Sequence, residues 1–200
     1  RLWGITFVAG AITNIRSDHL DYHGTWENYA KAKVKLLDMI KDGGIAALNN
    51  DDTSSLSFLK EYVDGIDESE LKIIWYSKDK LTNVESSFKG LEFDYEDEHF
   101  NLPLIGSYNL DNALAAICLT KKYLPISKIS EALNHFPTPL GRMQVMQIKP
   151  FSVIIDFAHT PHALRSALNS VREISDKGRI ISVFGCAGQR DVGRREMGKV

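Results

Sequence analysis

The chain has 200 residues, 44% of them hydrophobic and 25% charged, with a formal net charge of −2 and a pI near 6.3. This composition fits a globular protein of one large or two small domains, and it excludes the broad basic field that nucleic acid or an anionic membrane surface requires. Cys118, in an apolar helical stretch, and Cys186, in a glycine-rich turn, lie too far apart to suggest a disulfide framework and fit a reducing compartment. No apolar run approaches the roughly 20 residues that span a bilayer, and Arg1-Leu2-Trp3-Gly4 lacks the charged and apolar regions of a signal peptide, so a cytoplasmic location is expected.

Apolar spacing predicts a buried strand over 7–14 and a helix over 25–40, with Thr25 as its N-cap and Gly43-Gly44 just beyond its end. A short apolar strand over 45–48, a helix over 54–62, a strand over 72–76 and a hairpin around Glu96-Asp97 follow, while the polar run 82–90 reads as loop. Helices resume at 109–123, broken by Pro125, and at 127–134 with Ser127 as cap. Pro137-Thr138-Pro139-Leu140-Gly141 cannot continue a helix and marks the boundary between a first domain, 1–140, and a second that starts at 141. Beyond it the pattern predicts strands at 143–148 and 151–157, a helix at 161–174 and a strand at 179–184. The last strand-helix-strand unit implies parallel, doubly wound α/β structure. The chain opens without a methionine and 194–200 starts a helix without a stop signal, so the sequence reads as a fragment.

Four clusters can carry chemistry. The segment from Asn14 to His23 follows a strand's carboxyl end, where open α/β sheets place ligands, and packs His19, His23, Asp18 and Asp21 into a short loop suited to divalent metal or phosphate; it reads alternatively as a solvated loop whose histidines cap neighbouring elements. On the following helix, Trp26, Tyr29, Ala30, Lys33, Leu37 and Ile40 share one face. An amine on that apolar stripe loses hydration and becomes nucleophilic enough to take up carbon dioxide, giving a carbamate with the oxygen donors magnesium prefers; the alternative is that Lys33 snorkels to the rim of the core.

In the third cluster an apolar strand ends at Asp156 and a helix starts with Pro161. The free N–H groups of such a junction suit a nucleotide, with Asp156 on ribose hydroxyls, or Asp156 and Thr160 are caps only. One strand later, Phe184-Gly185-Cys186-Ala187-Gly188-Gln189-Arg190-Asp191 permits close backbone approach, and Arg190 can clamp a carboxylate; alternatively it is a glycine turn with Asp191 as N-cap. No P-loop of the form G-x-x-x-x-G-K-[ST] occurs in the chain.

The order of these segments resembles the Mur ligase family, MurE type. Thr13-Asn14 leading into Asp18-His19-Leu20-Asp21-Tyr22-His23-Gly24-Thr25, then Tyr29-Ala30-Lys31-Ala32-Lys33, is similar to its T-N-x-x-x-D-H-L-D-Y-H-G-T and Y-x-x-A-K signatures. Asn49-Asn50-Asp51-Asp52 resembles N-x-D-D, Gly106 to Ala113 resembles G-x-x-N-x-x-N-A, and Gly141-Arg142-Met143 resembles G-R-M. Asp156 to Pro161 is similar to D-Y-A-H-T-P and Phe184 to Asp191 to F-G-C-G-G-D-R-D, with Gln189 in place of an acidic residue and Arg195-Glu196-Met197 in place of a K-R-P-type sequence.

The resemblance implies an α/β fold with part of a central ATP-binding domain over 1–140, lacking its P-loop, and the start of a Rossmann-like C-terminal domain over 141–200. It implies ATP-driven addition of an amino acid to UDP-MurNAc-L-Ala-D-Glu through an acyl phosphate in peptidoglycan precursor synthesis. His19 and carbamylated Lys33 would be catalytic and would hold Mg2+. Asn109 and Asn112 would lie near adenine and Arg142 and Asp156 near ribose, with His159 and Thr160 in the same nucleotide-binding stretch. Arg190 would bind the incoming amino acid's carboxylate. Implied partners are the UDP-MurNAc-dipeptide and a free amino acid, with no nucleic acid or membrane, and the protein would be a monomer, inactive as a fragment. Two other readings stay open: another Mur or folylpolyglutamate synthase ligase, and a noncatalytic remnant that binds nucleotide.

Overall fold

A computed structural model describes residues 4–16, 23–175, 177–185 and 194–200. They form two compact units, one of residues 1–81 and 111–129 and the other of 82–110 and 130–200.

The first unit is built on a parallel sheet in the order β1-β2-β3, with β1 at Phe7–Ile12, β2 at Ile40–Asn49 and β3 at Leu71–Tyr76. The central strand β2 is buried without interruption from Gly44 to Asn49, the run expected of a strand covered on both faces. Its register sets Ile12 opposite Leu48 and Asn49 opposite Tyr76, which brings the carboxyl ends of all three strands to one edge. Helix α1, Trp26–Val34, is capped by Thr25, whose hydroxyl accepts from the Asn28 amide. A 3-10 turn, Leu37–Met39, leads into β2, so the helix expected over 25–40 breaks after Val34. Helix α2, Leu56–Val63, turns Phe58, Leu59, Tyr62 and Val63 toward a core that also takes Ile12, Ile15, Tyr29, Val34 and Leu48.

The second unit opens with an antiparallel sheet of β4 (Thr82–Ser87), β5 (Gly90–Tyr95) and β6 (Glu98–Leu102). The hairpin expected at Glu96-Asp97 is present, and both residues take the positive φ (50° and 62°) of a tight two-residue turn. Fully buried Phe93 and Phe100 face each other across it with ring centroids 5.1 Å apart. The run expected as loop over 82–90 is instead the edge strand β4. Its residues are all exposed, so they lack the apolar alternation of a half-buried strand, and pairing with β5 supplies the order. Helix α3, Tyr108–Thr120, and α4, Ile126–Asn134, are divided between the units.

After Gly141, β7 (Gln144–Gln147) and β8 (Val153–Ile155) pair antiparallel and α5 (Pro161–Ile174) follows. The strand expected over 179–184 does not form, and the parallel unit built on it is absent among the described residues. Ile181 and Val183 are 70% and 93% exposed there: an apolar run becomes a strand only when another strand takes its hydrogen bonds, and none is paired with it. A last short helix, α6, spans Arg194–Met197.

Gly90 has φ +142°, and a Cβ there would run into the Leu102 carbonyl group. Gly90→Ala should therefore lower the free energy of unfolding by about 1–3 kcal/mol. Urea unfolding of the chain checks this, and an unchanged midpoint would contradict the close approach.

Candidate functional site

Polar residues of the first unit collect where the parallel strands end, the edge at which open α/β sheets bind ligands. Asn49, at the end of β2, donates from Nδ2 to the Thr13 carbonyl at 2.9 Å and to Asp111 Oδ1 at 3.4 Å. Lys78 Nζ lies 2.9 Å from Asp111 Oδ2. Asp51 accepts from the Ser77 hydroxyl at 2.6 Å and the Lys78 amide at 2.8 Å, tying the β2 and β3 ends together.

Next to it Asp52 is 2% exposed. Its Oδ2 accepts from the Ile15 amide at 3.0 Å and from the Ser55 hydroxyl; Oδ1 accepts from the Ser54 hydroxyl at 2.6 Å and meets Arg16 Nη2 at 3.1 Å. Burial alone would push this carboxyl up, but the hydroxyls of Ser54 and Ser55, the Ile15 amide and the Arg16 charge outweigh it and hold the group below the usual carboxylate range. Pattern reading found Asp52 only as part of a turn. Its partners Ile15 and Arg16 are more than 35 residues away, and no local signal connects them.

The expectation that Lys33 lies on the apolar stripe is corrected: Tyr29, Ala30 and Val34 are buried and Lys33 is exposed. Lys33 sits one turn after Tyr29, so its Nζ lies over that ring, 5.1 Å from the centroid. His23 meets the same Tyr29 edge-on at 5.2 Å. His19 and Arg190 lie outside the described residues. Among the described residues no three His, Cys, Asp or Glu side chains converge as a metal site.

In the second unit the structure gathers Arg142, Asp156, His159 and Thr160. Asp156 Oδ2 accepts from the Met143 amide and Oδ1 from the Ala158 amide, each at 2.8 Å, and the Phe157 amide donates to the Gly141 carbonyl at 2.7 Å. Asp156 thus fastens the Gly141-Arg142-Met143 linker to the strand-helix junction, where Thr160 caps α5 by accepting from the Ala163 amide at 3.2 Å. The exposed Arg142 guanidinium stacks 5.2 Å over Phe157, and His159 Nδ1 lies 3.2 Å from the Phe157 carbonyl. Tyr108, which sequence reading passed over, packs against the cluster of Ile105, Met143 and Ala167. Its hydroxyl is pushed up to about 12 by burial and by Asp156, with Arg142 opposing. Gly106 makes room for it, since with φ +100° a Cβ there would come 2.9 Å from the Tyr108 ring. Asn109 is buried and donates to the Ile105 carbonyl at 2.9 Å, whereas Asn112, one turn on, is exposed.

A parallel sheet with its polar groups at the carboxyl ends, followed by a capped strand-helix junction, places the chain among α/β proteins that bind ligands at strand ends. Residues 1–120 match the Mur ligase middle domain and residues 141–200 the Mur ligase, glutamate ligase domain. The chain belongs to the Mur ligase family. It is 37% identical to the UDP-N-acetylmuramoyl-L-alanyl-D-glutamate--2,6-diaminopimelate ligase of Prochlorococcus marinus (strain NATL2A), over 100% of this chain and 43% of that protein. To the ligase of the same name from Chlamydia felis (strain Fe/C-56) it is 34% identical, over 98% of this chain and 42% of that protein. The chain thus spans 42–43% of the length of these curated relatives. The crystal structure of MurF from Acinetobacter baumannii shares the fold, with a TM-score of 0.71 at 20% identity, covering 83% of this chain and 37% of that one.

Because the folded Asp52 lies below its unfolded value of about 3.9, the stability it contributes is complete above that value and is lost as pH falls through the lower, folded one. Asp52→Asn should cost about 2 kcal/mol at pH 7, and less at a pH well below the unfolded value. Urea unfolding at both pH values tests this; a gap independent of pH would contradict the charged hydrogen bonds.

Proposed function

We propose that the chain is the central and early C-terminal portion of an ATP-dependent ligase that adds the third amino acid to UDP-MurNAc-L-Ala-D-Glu. One observation carries this reading: the similarity to ligases named for that reaction runs through essentially the whole chain, across both family matches. In that reaction a D-glutamate carboxylate oxygen attacks the γ-phosphorus of ATP and ADP leaves. The amine of the incoming amino acid then attacks the acyl carbon, phosphate leaves and the amine gives up its proton. We place the boundary between the middle domain and the start of the C-terminal domain at 140/141 and the protein in the cytoplasm as a monomer. No described helix is long and apolar enough to cross a membrane.

Arg142 and Asp156 form the ribose end of the nucleotide site, with His159 and Thr160 in the same nucleotide-binding stretch, and Asn109 and Asn112 form the adenine end. The fastening of Asp156 to the Met143 and Ala158 amides supports this by holding Arg142 beside the junction. Arg190 takes the carboxylate of the amino acid. Mg2+, when bound, would neutralise the phosphates, held by His19 and by Lys33 as a carbamate. The fit at Lys33 is partial: its exposed amine is open to carbon dioxide, but the ammonium over Tyr29 must leave the ring to become an anionic donor.

Lys33→Ala in the full-length ligase should abolish ADP release and ligation, with added short carboxylic acids restoring part of the rate and carbonate none. Unchanged turnover would sink the carbamate assignment. Arg190→Ala should raise the KM for the amino acid on the order of 100-fold, as expected for losing a charged clamp, and leave ATP affinity as it is. A loss of ATP affinity instead would move Arg190 to the nucleotide.

A further inference from the structure

Ile15, 1% exposed, is held at both of its backbone groups. Its amide donates to Asp52 at 3.0 Å, and its carbonyl accepts from the Trp26 indole and the Ser54 hydroxyl, each at 3.2 Å. Arg16, the next residue, reaches the same Asp52 carboxylate at 3.1 Å. In sequence, Ile15-Arg16 stands on one side of the segment that carries His19 and Trp26 on the other. Both flanks are therefore tied to a single point, and Asp52 is the charge at its centre.

Capping the turn before α2 requires only Ser54, Ser55 and the Asp52 carboxylate. Arg16 is the outermost of the carboxylate's contacts: the Arg16 side chain is 42% exposed, while the carboxylate, 1% exposed, keeps its three hydrogen-bond donors without it. The ion pair holds Arg16, the last described residue before the histidine segment, on Asp52. We propose that Asp52 is a positioning residue for ligation, pinning through Ile15 and Arg16 the flanks of the segment that bears His19. This rests on the reading of the chain as a ligase in which His19 acts. In Asp52→Asn one oxygen becomes an NH2 donor, which breaks either the contacts of Oδ1 to Arg16 and Ser54 or those of Oδ2 to Ile15 and Ser55, and a shift of about 1 Å near reacting atoms costs on the order of 100-fold in rate.

The test compares the full-length ligase with Asp52→Asn, Arg16→Gln and the double variant, measuring kcat and each KM per folded molecule, melting temperature, and hydrogen exchange across 14–26. Arg16→Gln leaves the core intact, so its effect is read without loss of folding. Asp52→Asn should lower kcat on the order of 100-fold with the KM values nearly unchanged, and should speed exchange across 14–26 while β2 stays protected. Arg16→Gln should lower kcat about tenfold with a smaller fall in melting temperature than Asp52→Asn, and the double variant should be no worse than Asp52→Asn, because both act through one contact. Asp52→Asn that melts earlier but keeps its kcat per folded molecule, or effects that multiply in the double variant, would overturn the proposal. If the unsubstituted protein ligates nothing, the ligase reading falls by itself. The pinning is then judged by exchange alone: selective acceleration across 14–26 in Asp52→Asn supports it, and unchanged exchange overturns it.

Discussion

A carboxylate taken out of water must be matched by donors, and Asp52 is matched by donors from two distant stretches of the chain: the Ile15 amide and Arg16 after β1, and the hydroxyls of Ser54 and Ser55 before α2. The carbonyl of Ile15 then receives the indole of Trp26, at the start of α1. One buried anion thereby sets the relation of the first strand's exit, the second strand's exit and the first helix. The parallel register of β1, β2 and β3 brings those exits to one edge; the hydrogen bonds of Asp51, Asp52 and Asn49 keep them there.

The second unit uses the same physics with a less buried group. Asp156 spends both oxygens on backbone amides, one in the linker and one at the strand-helix junction, so the chain after Gly141 cannot swing free of β8. Capping and ligand binding are not rival roles for such a residue. A side chain already satisfied by two amides is rigid, and rigidity is what a binding group needs, since ordering it later would cost affinity. Tyr108 and Gly106 back this arrangement from the start of α3.

Lys33 shows how an apolar pattern can mislead about a single position. Six residues at helical spacing suggested one stripe, yet the helix ends at Val34 and the chain turns through Leu37–Met39, so the buried set becomes Tyr29, Ala30 and Val34, with Leu37 and Ile40 reaching the core from other elements. The lysine stays outside as a cation on the Tyr29 ring. Any chemistry at this amine begins from an exposed group, and selectivity for it must come from what surrounds it rather than from burial.

The elements legible in the sequence were those whose cause is local. The apolar runs of β1 and β3, the Thr25 cap of α1, the Thr160-Pro161 start of α5 and the two-residue turn at Glu96-Asp97 each depend on residues a few positions apart, and each lies where spacing predicts. The order of short motifs along the chain was legible for the same reason, and it carried the family. Tertiary structure decided the rest. The polar run 82–87 became a strand because β5 pairs with it, and the apolar run 179–184 did not because no strand among the described residues does. The exposure of Lys33 followed from which face of α1 turns inward, the one that carries Tyr29, Ala30 and Val34. The role of Asp52 followed from contacts with Ile15 and Arg16, more than 35 residues away, where no periodicity or local propensity reaches.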